Sequence, residues 1–278
     1  MFRPLIALAI LPCTGPALFA RLPPPATQPV VRAAEAQVVA VVEVTSVADA
    51  PIAVVELNGS GQETTNSYTI AEAAVKTPLS GASKLKTIKV GIHPKKPEQI
   101  EKDGYTLQLA AKEVKCLFLK PHPSEGFYVE SGNGPPLDPA RKEDQPALKQ
   151  VKKVAAVLAD SAKALKAEKP EDRVFAALCL AYNYSPPDRD QMRPEDVPKE
   201  ESDLILKALR EADPNKLERE DGLFWVAAVE KFGLAKNEQL PGWWGERGKD
   251  RSLKRFKLYA DWYDKPGEKR RLQYWVPK

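Results

Sequence analysis

Two histidines are the first residues in this sequence that could do chemistry, because imidazole binds metals and transfers protons near neutral pH. His93 and His122 are each followed by proline, in loops that come after predicted strands. Neither stands at zinc-ligand spacing from a second histidine or a cysteine. The pattern favours surface turn residues and predicts no metal and no cofactor. Capture of copper or nickel by the two histidines, completed by carboxylates, is the alternative.

The possible nucleophiles lack the surroundings that would activate them. Cys116 falls in an apolar run and Cys179 in a predicted helix, so burial as small hydrophobic residues is expected, with a disulfide between them left open. Ser60 lies between two glycines but lacks the strand–elbow–helix context of a hydrolase. Ser83 and Lys86 match Ser-x-x-Lys without its companion elements. No catalytic residue is therefore assigned.

Acidic residues are too frequent to single out a catalytic pair. Three runs, at residues 195–196, 200–203 and 218–221, could supply a glycosidase pair or calcium ligands. The EF-hand spacing is missing, and such runs are typical of solvated helix faces and first helical turns. No glycine-rich phosphate loop precedes a helix, so nucleotide chemistry is not indicated.

Aromatic and basic residues are concentrated near the C-terminus. All five tryptophans lie in the last quarter of the chain, and the Gly-Trp-Trp-Gly run at residues 242–245 indicates a loop. Aromatic rings interleaved with cations bind sugars, anionic polymers or single-stranded nucleic acid. The candidate partner-binding residues are Trp243, Trp244, Arg247 and Arg251. Trp225, Trp262 and Trp275, in contrast, are expected to be core residues of the helical domain.

The first twenty residues read as a targeting segment. Arg3 precedes an apolar stretch, and Leu18-Phe19-Ala20 places a small residue before a cleavage point; Ala34 and Ala36 offer a second one. A membrane anchor is disfavoured because Pro12, Gly15 and Pro16 interrupt the stretch. Acylation of Cys13 is disfavoured because proline precedes it. Export to the periplasm or the medium is expected.

Two regions of different periodicity follow the targeting segment. The chain has 278 residues, a formal net charge of +4 and 26 prolines, which cluster in linkers and loops. Short strands with β-branched residues are predicted at 38–44, 52–57, 67–75, 86–92, 114–119 and 127–131, with a weaker candidate at 105–111. After a Gly/Pro cluster, apolar stripes predict five helices, the first with a single stripe from Leu148 to Leu165. Gly233 is placed as a C-terminal cap.

Several runs give the chain a resemblance to known proteins. Lys115–Pro123 with the return Gly126–Val129, the run Lys169–Arg173 and the closing residues Trp275–Lys278 resemble a group of uncharacterised secreted proteins of planctomycete bacteria. No activity is attached to that group, so the resemblance implies no functional residues. The strand region is also similar in layout to netrin-like or tissue-inhibitor-type barrels of the OB (oligonucleotide/oligosaccharide-binding) shape. Their inhibitory edge depends on an N-terminal cysteine that this sequence lacks.

The sequence therefore predicts an α+β protein with a small β-barrel or sandwich, OB-like or netrin-like, followed by an all-helical domain. The expected division is a signal peptide at 1–20, a proline-rich spacer at 21–34, the β domain at 35–132, a linker at 133–144 and the helical domain at 145–278. We expect an exported, non-enzymatic protein that binds an envelope protein or a polysaccharide, with no nucleic acid and no membrane span after cleavage. A glycan-directed hydrolase that uses carboxylates in a cleft between the domains is the alternative.

Overall fold

The computed structural model describes residues 27–57, 61–93, 105–184, 192–213, 220–234, 250–265 and 272–277, with Leu240, Gly242 and Gly245. Most strands come before most helices, and the protein is of the α+β class, as the sequence predicts. Among these residues, no helix is both long enough and apolar enough to cross a membrane.

A closed barrel of five strands forms the β-rich part. This part has six strands: β1 (Val38–Val47), β2 (Ile52–Leu57), β3 (Glu63–Ser80), β4 (Thr87–Ile92), β5 (Val114–Pro121) and β6 (Tyr128–Glu130). All of them except β2 belong to the barrel. The ring runs β1–β5–β6–β4–β3 and returns to β1. All pairs are antiparallel except β4 with β6, which pair in parallel through Val90 and Tyr128. Of the two predicted β architectures, the barrel is the one observed.

β1 is apolar on both faces because each face meets a different core. Val42 and Val44 are fully buried in the barrel interior, where small residues such as Ala71 and Ala73 on β3 leave room for them. Val39 points the other way, into the core that the helices share. A strand buried on both faces reads as a continuous apolar run, which is the pattern of residues 38–44.

β2 forms a ribbon outside the ring with the first part of β3. It pairs antiparallel with β3 from Ile52 opposite Tyr68 to Leu57 opposite Glu63. We call this ribbon, residues 52–57 and 63–68, the arm. The predicted strand at 105–111 is wrong, because residues 105–110 have no regular secondary structure. Leu107 and Leu109 are nevertheless buried there and fill the interior.

Seven helices are present in the described residues. They are α1 (Pro29–Glu35), α2 (Gln145–Ala159), α3 (Ser161–Leu165), α4 (Pro170–Tyr184), α5 (Lys199–Arg210), α6 (Glu220–Lys231) and α7 (Arg251–Tyr263), and a 3-10 turn at Lys142–Asp144 leads into α2. The single helix predicted from Leu148 to Leu165 is in fact two. Asp160 leaves the helical conformation between them, and its side chain accepts a hydrogen bond from the backbone N–H of Lys163, which caps α3.

α1 overturns part of the expectation of a spacer at residues 21–34. Pro29 begins the helix at a position that tolerates proline, and Val31, Ala33 and Ala34 are buried in the main core. Glu35 accepts a hydrogen bond from Lys231 of α6 at 2.9 Å. An amphipathic segment this short is helical because it packs on α2 and α4, not because of its own propensity.

The barrel and the helices share one core. Cys116 and Phe118 on the outer face of β5 pack with α1 and with the helical residues. The predicted linker also belongs to this junction, since Leu137 is buried and exchanges backbone hydrogen bonds with Cys116.

Strands β7 (Met192–Asp196) and β8 (Gln273–Pro277), which were not predicted from the sequence, pair into a small antiparallel ribbon among the helices.

Candidate functional site

Most of the partner-binding residues predicted from the sequence lie outside the described part of the chain. Trp243, Trp244 and Arg247 are in this group. Arg251 is described, and it is the exposed first residue of α7. The predicted aromatic and basic surface therefore stays a prediction. Trp225 and Trp262 are both buried, as the core interpretation expects.

The two histidines meet on one ring, that of Tyr68. The centroid of the Tyr68 ring is 5.3 Å from that of His93 and 5.4 Å from that of His122. His93 is half-buried, with its Nδ1 atom 3.0 Å from the carbonyl oxygen of Ser67. The side chain of His122 is only 2% exposed. The expectation of a surface turn residue is wrong for His122, because the loop after β5 folds its ring beneath the arm.

Glu56 is the centre of a hydrogen-bonded cluster that joins the arm to this loop. Its Oε1 atom lies 2.6 Å from the hydroxyl of Tyr68 and 2.6 Å from Nε2 of His122, and its Oε2 atom accepts from the side chain of Asn66 at 2.8 Å. Three donors on one carboxylate favour its charged form. We call Glu56, Asn66, Tyr68, His122 and Phe127 the clamp.

The hydrogen bonds of the clamp set the charge of Glu56 and the tautomer of His122. Burial acts to raise the pKa of the Glu56 carboxyl, but the bonds from Tyr68, His122 and Asn66 outweigh it and hold the pKa below its usual value. The same burial, with Glu56 beside it, raises the pKa of the Tyr68 hydroxyl. The backbone N–H of Ser124 points at Nδ1 of His122 at 3.3 Å, so the proton of the neutral ring belongs on Nε2, facing Glu56.

Ring packing completes the clamp. The Phe127 ring lies 5.2 Å from that of Tyr68 and 4.7 Å from that of His122, and Val54 of β2 is buried against them. Gly91 on β4 makes this possible, because a Cβ atom there would lie 2.4 Å from the Phe127 ring. The inner face of the arm is therefore fixed to the barrel by both polar and apolar contacts.

The outer face of the arm is exposed and aliphatic. On this face Val55 is 57% exposed and Leu57 is 66% exposed. Ile52, which begins the strand on the face of Val54 and Glu56, is 42% exposed. Among the described residues, Val114 is the only other large hydrophobic residue in this exposed class. Opposite Val55 on β3 stands the exposed Thr65. One six-residue strand thus carries most of the exposed large hydrophobic residues of the described chain.

The arm is also acidic. The sequence contains no lysine or arginine between Arg32 and Lys76. The acidic residues in that stretch are Glu35, Glu43, Asp49, Glu56, Glu63 and Glu72. Asp49 and Glu63 are exposed at the two ends of β2. The arm therefore presents aliphatic side chains between negative charges.

The described side chains do not support the metal site that was the alternative for the histidines. The described residues hold no group of three or more histidine, cysteine or acidic side chains placed to bind one ion. Within the clamp, Nε2 of His122 already faces Glu56 and Nδ1 faces Ser124. Both ring nitrogens of His122 are therefore engaged in hydrogen bonds.

A cavity of about 560 Å³ lies between α1, α2, α4 and the end of α5. Its wall is mainly apolar and includes Val30, Phe175 and Trp225, with Glu171, Glu211 and Asp213 also lining it. Arg173 contacts Glu211 at 2.6 Å and neutralises it. The cavity lies among the helices and not at the junction with the barrel, where the sequence analysis placed a hydrolase cleft.

The two cysteines are free, buried thiols. Burial raises the pKa of both Cys116 and Cys179 to about 12, so the reactive thiolate is rare near neutral pH. We expect iodoacetamide at about pH 8 to leave both unmodified in the folded protein and to alkylate both in denaturant. Peptide mass spectrometry locates the label. Modification of either thiol under native conditions would contradict the burial.

The raised pKa values of the thiols also predict how stability depends on pH. The folded protein holds thiol protons that the unfolded chain releases above its own pKa, 9.0 for a cysteine. The contribution of the two thiols to the free energy of unfolding is therefore complete below that pH and is lost as the pH rises toward about 12. Between these pH values each thiol lowers the free energy of unfolding by about 1.4 kcal/mol per pH unit. Urea unfolding across this range checks the sign.

Comparisons with protein-family models, with curated proteins and with solved structures found no match to this chain. The function is therefore inferred from the residues themselves.

Proposed function

We propose that this chain is an exported, non-enzymatic protein that binds a partner protein at the cell envelope. The observation that carries the proposal is the outer face of the arm, where Val55 and Leu57 are exposed on the same side of one short strand. A single exposed aliphatic residue is ordinary on a protein surface, whereas a cluster of them is typical of an interaction site. The clamp holds this surface in place before any partner arrives, which lowers the entropic cost of binding.

The order of the barrel strands supports a binding role. We propose that the barrel is of the OB type, in which ligands bind at the loops between the first and second and between the fourth and fifth barrel strands. In this chain the first of those loops, between β1 and β3, carries β2. The second, between β5 and β6, carries His122. The two loops meet through the hydrogen bond of Glu56 with His122.

The chemistry of the arm favours a protein partner over a polysaccharide or a nucleic acid. Sugar rings and bases bind by stacking on exposed aromatic side chains. On the arm the aromatic ring of Tyr68 is buried in the clamp, and the exposed large hydrophobic residues are aliphatic. Asp49 and Glu63 would also repel a phosphate backbone.

Export by means of residues 1–20 is part of the proposal, and α1 narrows the position of the cleavage. Removal of the chain up to Ala36 would delete Val31, Ala33 and Ala34 from the core. We therefore expect the N-terminus of the exported protein to lie between residues 21 and 28. N-terminal sequencing of the protein recovered from the periplasm or the medium tests this. An N-terminus at residue 35 or 37 would contradict the proposed role of α1 in the core.

The proposed function is tested with a partner captured from envelope extract and then purified. Its dissociation constant is measured against the wild-type protein, the Val55→Thr/Leu57→Thr variant and the matched control Val114→Thr. Threonine favours the strand conformation, as valine does, and reduces the apolar surface at both positions. We expect the arm variant to bind at least about tenfold more weakly and the control to bind normally. Equal binding by all three, or a captured ligand that glycosidases destroy, would refute the proposal.

One contact in the clamp bears on a second kind of hydrolase, one that uses a serine and not the carboxylates of the alternative predicted from the sequence. The exposed hydroxyl of Ser124 lies 3.5 Å from Nδ1 of His122, whose Nε2 faces Glu56, an order of groups that resembles a Ser–His–Glu triad. The distance is at the limit of a hydrogen bond, and the backbone N–H of the same serine is closer to Nδ1. We expect no labelling by a fluorophosphonate probe. Labelling that disappears in Ser124→Ala would establish the hydrolase instead.

A further inference from the structure

We infer that the partner is held as an extended, positively charged segment that pairs with the free edge of β2 as an additional strand. This inference rests on the proposed function, since it names how the arm binds and what kind of segment fits it. The contacts are of two kinds. Backbone hydrogen bonds along β2 supply affinity, and the side chains around it select the sequence of the segment.

β2 has one strand neighbour among the described residues. It lies at the end of the sheet, with β3 on one side, in register from Ile52–Tyr68 to Leu57–Glu63. The opposite edge therefore presents a row of backbone N–H and C=O groups to an incoming strand. Proteins usually protect such an edge with lysine, proline or a bulge. The residues of β2 are Ile-Ala-Val-Val-Glu-Leu, which include neither lysine nor proline. Their one charged residue, Glu56, is bonded to His122 in the clamp.

The clamp fixes the register in which a partner strand would pair. Val54 is 3% exposed and Glu56 is bound by His122, so β2 cannot slip by one residue without exposing its inner face. Val55 and Leu57 consequently always point outward. Alternate side chains of an added strand would lie beside them on the outer face, where apolar residues fit best.

Charge decides which segment fits. Asp49 and Glu63 are exposed near the two ends of β2, and no lysine or arginine occurs between Arg32 and Lys76. A segment that alternates aliphatic residues with lysine or arginine complements this surface. A second copy of the same chain does not, because antiparallel pairing of two β2 edges would bring two acidic arms together. The occupant is therefore a cationic segment of a different protein.

The probe is a fluorescein-labelled ten-residue peptide that alternates valine with lysine and threonine. Fluorescence anisotropy gives its dissociation constant with the exported protein. We expect binding to weaken at least about tenfold when the central residues of the peptide are all N-methylated, because methylation removes N–H donors from both edges of the strand. We expect a similar loss when glutamate replaces lysine, and for the Val55→Thr/Leu57→Thr variant.

A matched pair of variants separates local charge from net charge. Glu63→Gln is expected to weaken peptide binding, whereas Glu72→Gln, also on β3 but beside Lys89 on the barrel, leaves it unchanged. Equal effects of the two variants would mean that only net charge matters and would overturn the inference. Self-association lost in the Val55→Thr/Leu57→Thr variant would overturn it as well, since the occupant would then be a second copy.

The inference and the proposed function fail in different experiments. If the N-methylated peptide binds as well as the unmodified one, strand addition is wrong. Weaker binding of the native partner by the arm variant would still support the proposed function. If the native partner binds the arm variant as tightly as the wild-type protein, the proposed function fails, whatever the result with the peptide. Tight, methylation-sensitive and charge-sensitive peptide binding supports the inference.

Discussion

Replacing Arg32 by alanine is expected to lower the free energy of unfolding by about 3–5 kcal/mol, because it breaks a buried ion pair and removes the donor to backbone carbonyls. The side chain of Arg32 is only 1% exposed, and it donates to Glu130 at 2.7 Å and to the carbonyl of Pro135 at 2.7 Å. Its guanidinium also lies 4.4 Å from the centre of the Phe118 ring. Through these bonds Arg32 connects α1 to β6 and to the start of the linker region.

Urea unfolding of wild type and Arg32→Ala measures this loss, and coincident fluorescence and circular dichroism transitions show whether one free energy describes it. The matched control is Arg141→Ala. Arg141 contacts Glu143 at 3.6 Å, with side chains 64% and 73% exposed, so its loss is expected to cost less than about 1 kcal/mol. If Arg32→Ala cost no more than this control, the bonds of Arg32 would not hold α1 to β6 and the linker region.

Replacing Glu56 by alanine is expected to cost about 2–4 kcal/mol and to weaken partner binding at the same time. Removal of the carboxylate leaves Nε2 of His122 and the hydroxyl of Tyr68 without an acceptor, and each unsatisfied buried donor costs about 1–3 kcal/mol. Asn66 is half-buried and can turn to water. The arm would then be free to move, so binding would carry an added ordering cost.

A double-mutant cycle isolates the bond between Glu56 and His122. His122→Phe keeps a ring beside Tyr68 and Phe127 but removes the Nε2 donor, so Glu56→Ala should cost less in that background than in wild type. The control is Glu72→Ala, whose carboxylate is 54% exposed and lies 3.8 Å from Lys89. Additive losses would show that the two groups do not interact and that the clamp does not hold the arm.

Much of the fold follows from local patterns. The β-branched run at 38–44 and the alternation of residues 86–92 predict β1 and β4, which the structure confirms. The hairpin around Pro121 and Gly126 is also confirmed, as is Gly233 after α6, where its positive φ of 70° ends the helix. In each of these cases the residues that determine the element are neighbours in the sequence.

The clamp could not be predicted because its residues are distant in sequence. Glu56 and His122 are 66 positions apart and meet only because the barrel closes and places β2 over the loop between β5 and β6. One signal was available, since Glu56 is the only charged residue in an otherwise aliphatic strand. A lone charge on a strand that packs against the protein needs a partner, and His122 supplies it.

Helix α1 and the ribbon of β7 with β8 were missed for a related reason. Pro29–Glu35 is too short to be a stable helix alone, and proline-rich surroundings suggested an extended chain. Met192 and Pro277, which face each other in the ribbon, are separated by most of the helical region. Tertiary packing determines both elements, and neither leaves a periodic pattern.

Hydrogen exchange of the exported protein, with and without its purified envelope partner, is the most direct measurement of the binding mode. We expect backbone amides of residues 52–57 to exchange more slowly in the complex, because the free edge of β2 gains hydrogen bonds to the added strand. Amides of Val114 and its neighbours on β5 should be unaffected. Protection confined to the helical region, with residues 52–57 unchanged, would contradict the assignment of the arm as the binding surface.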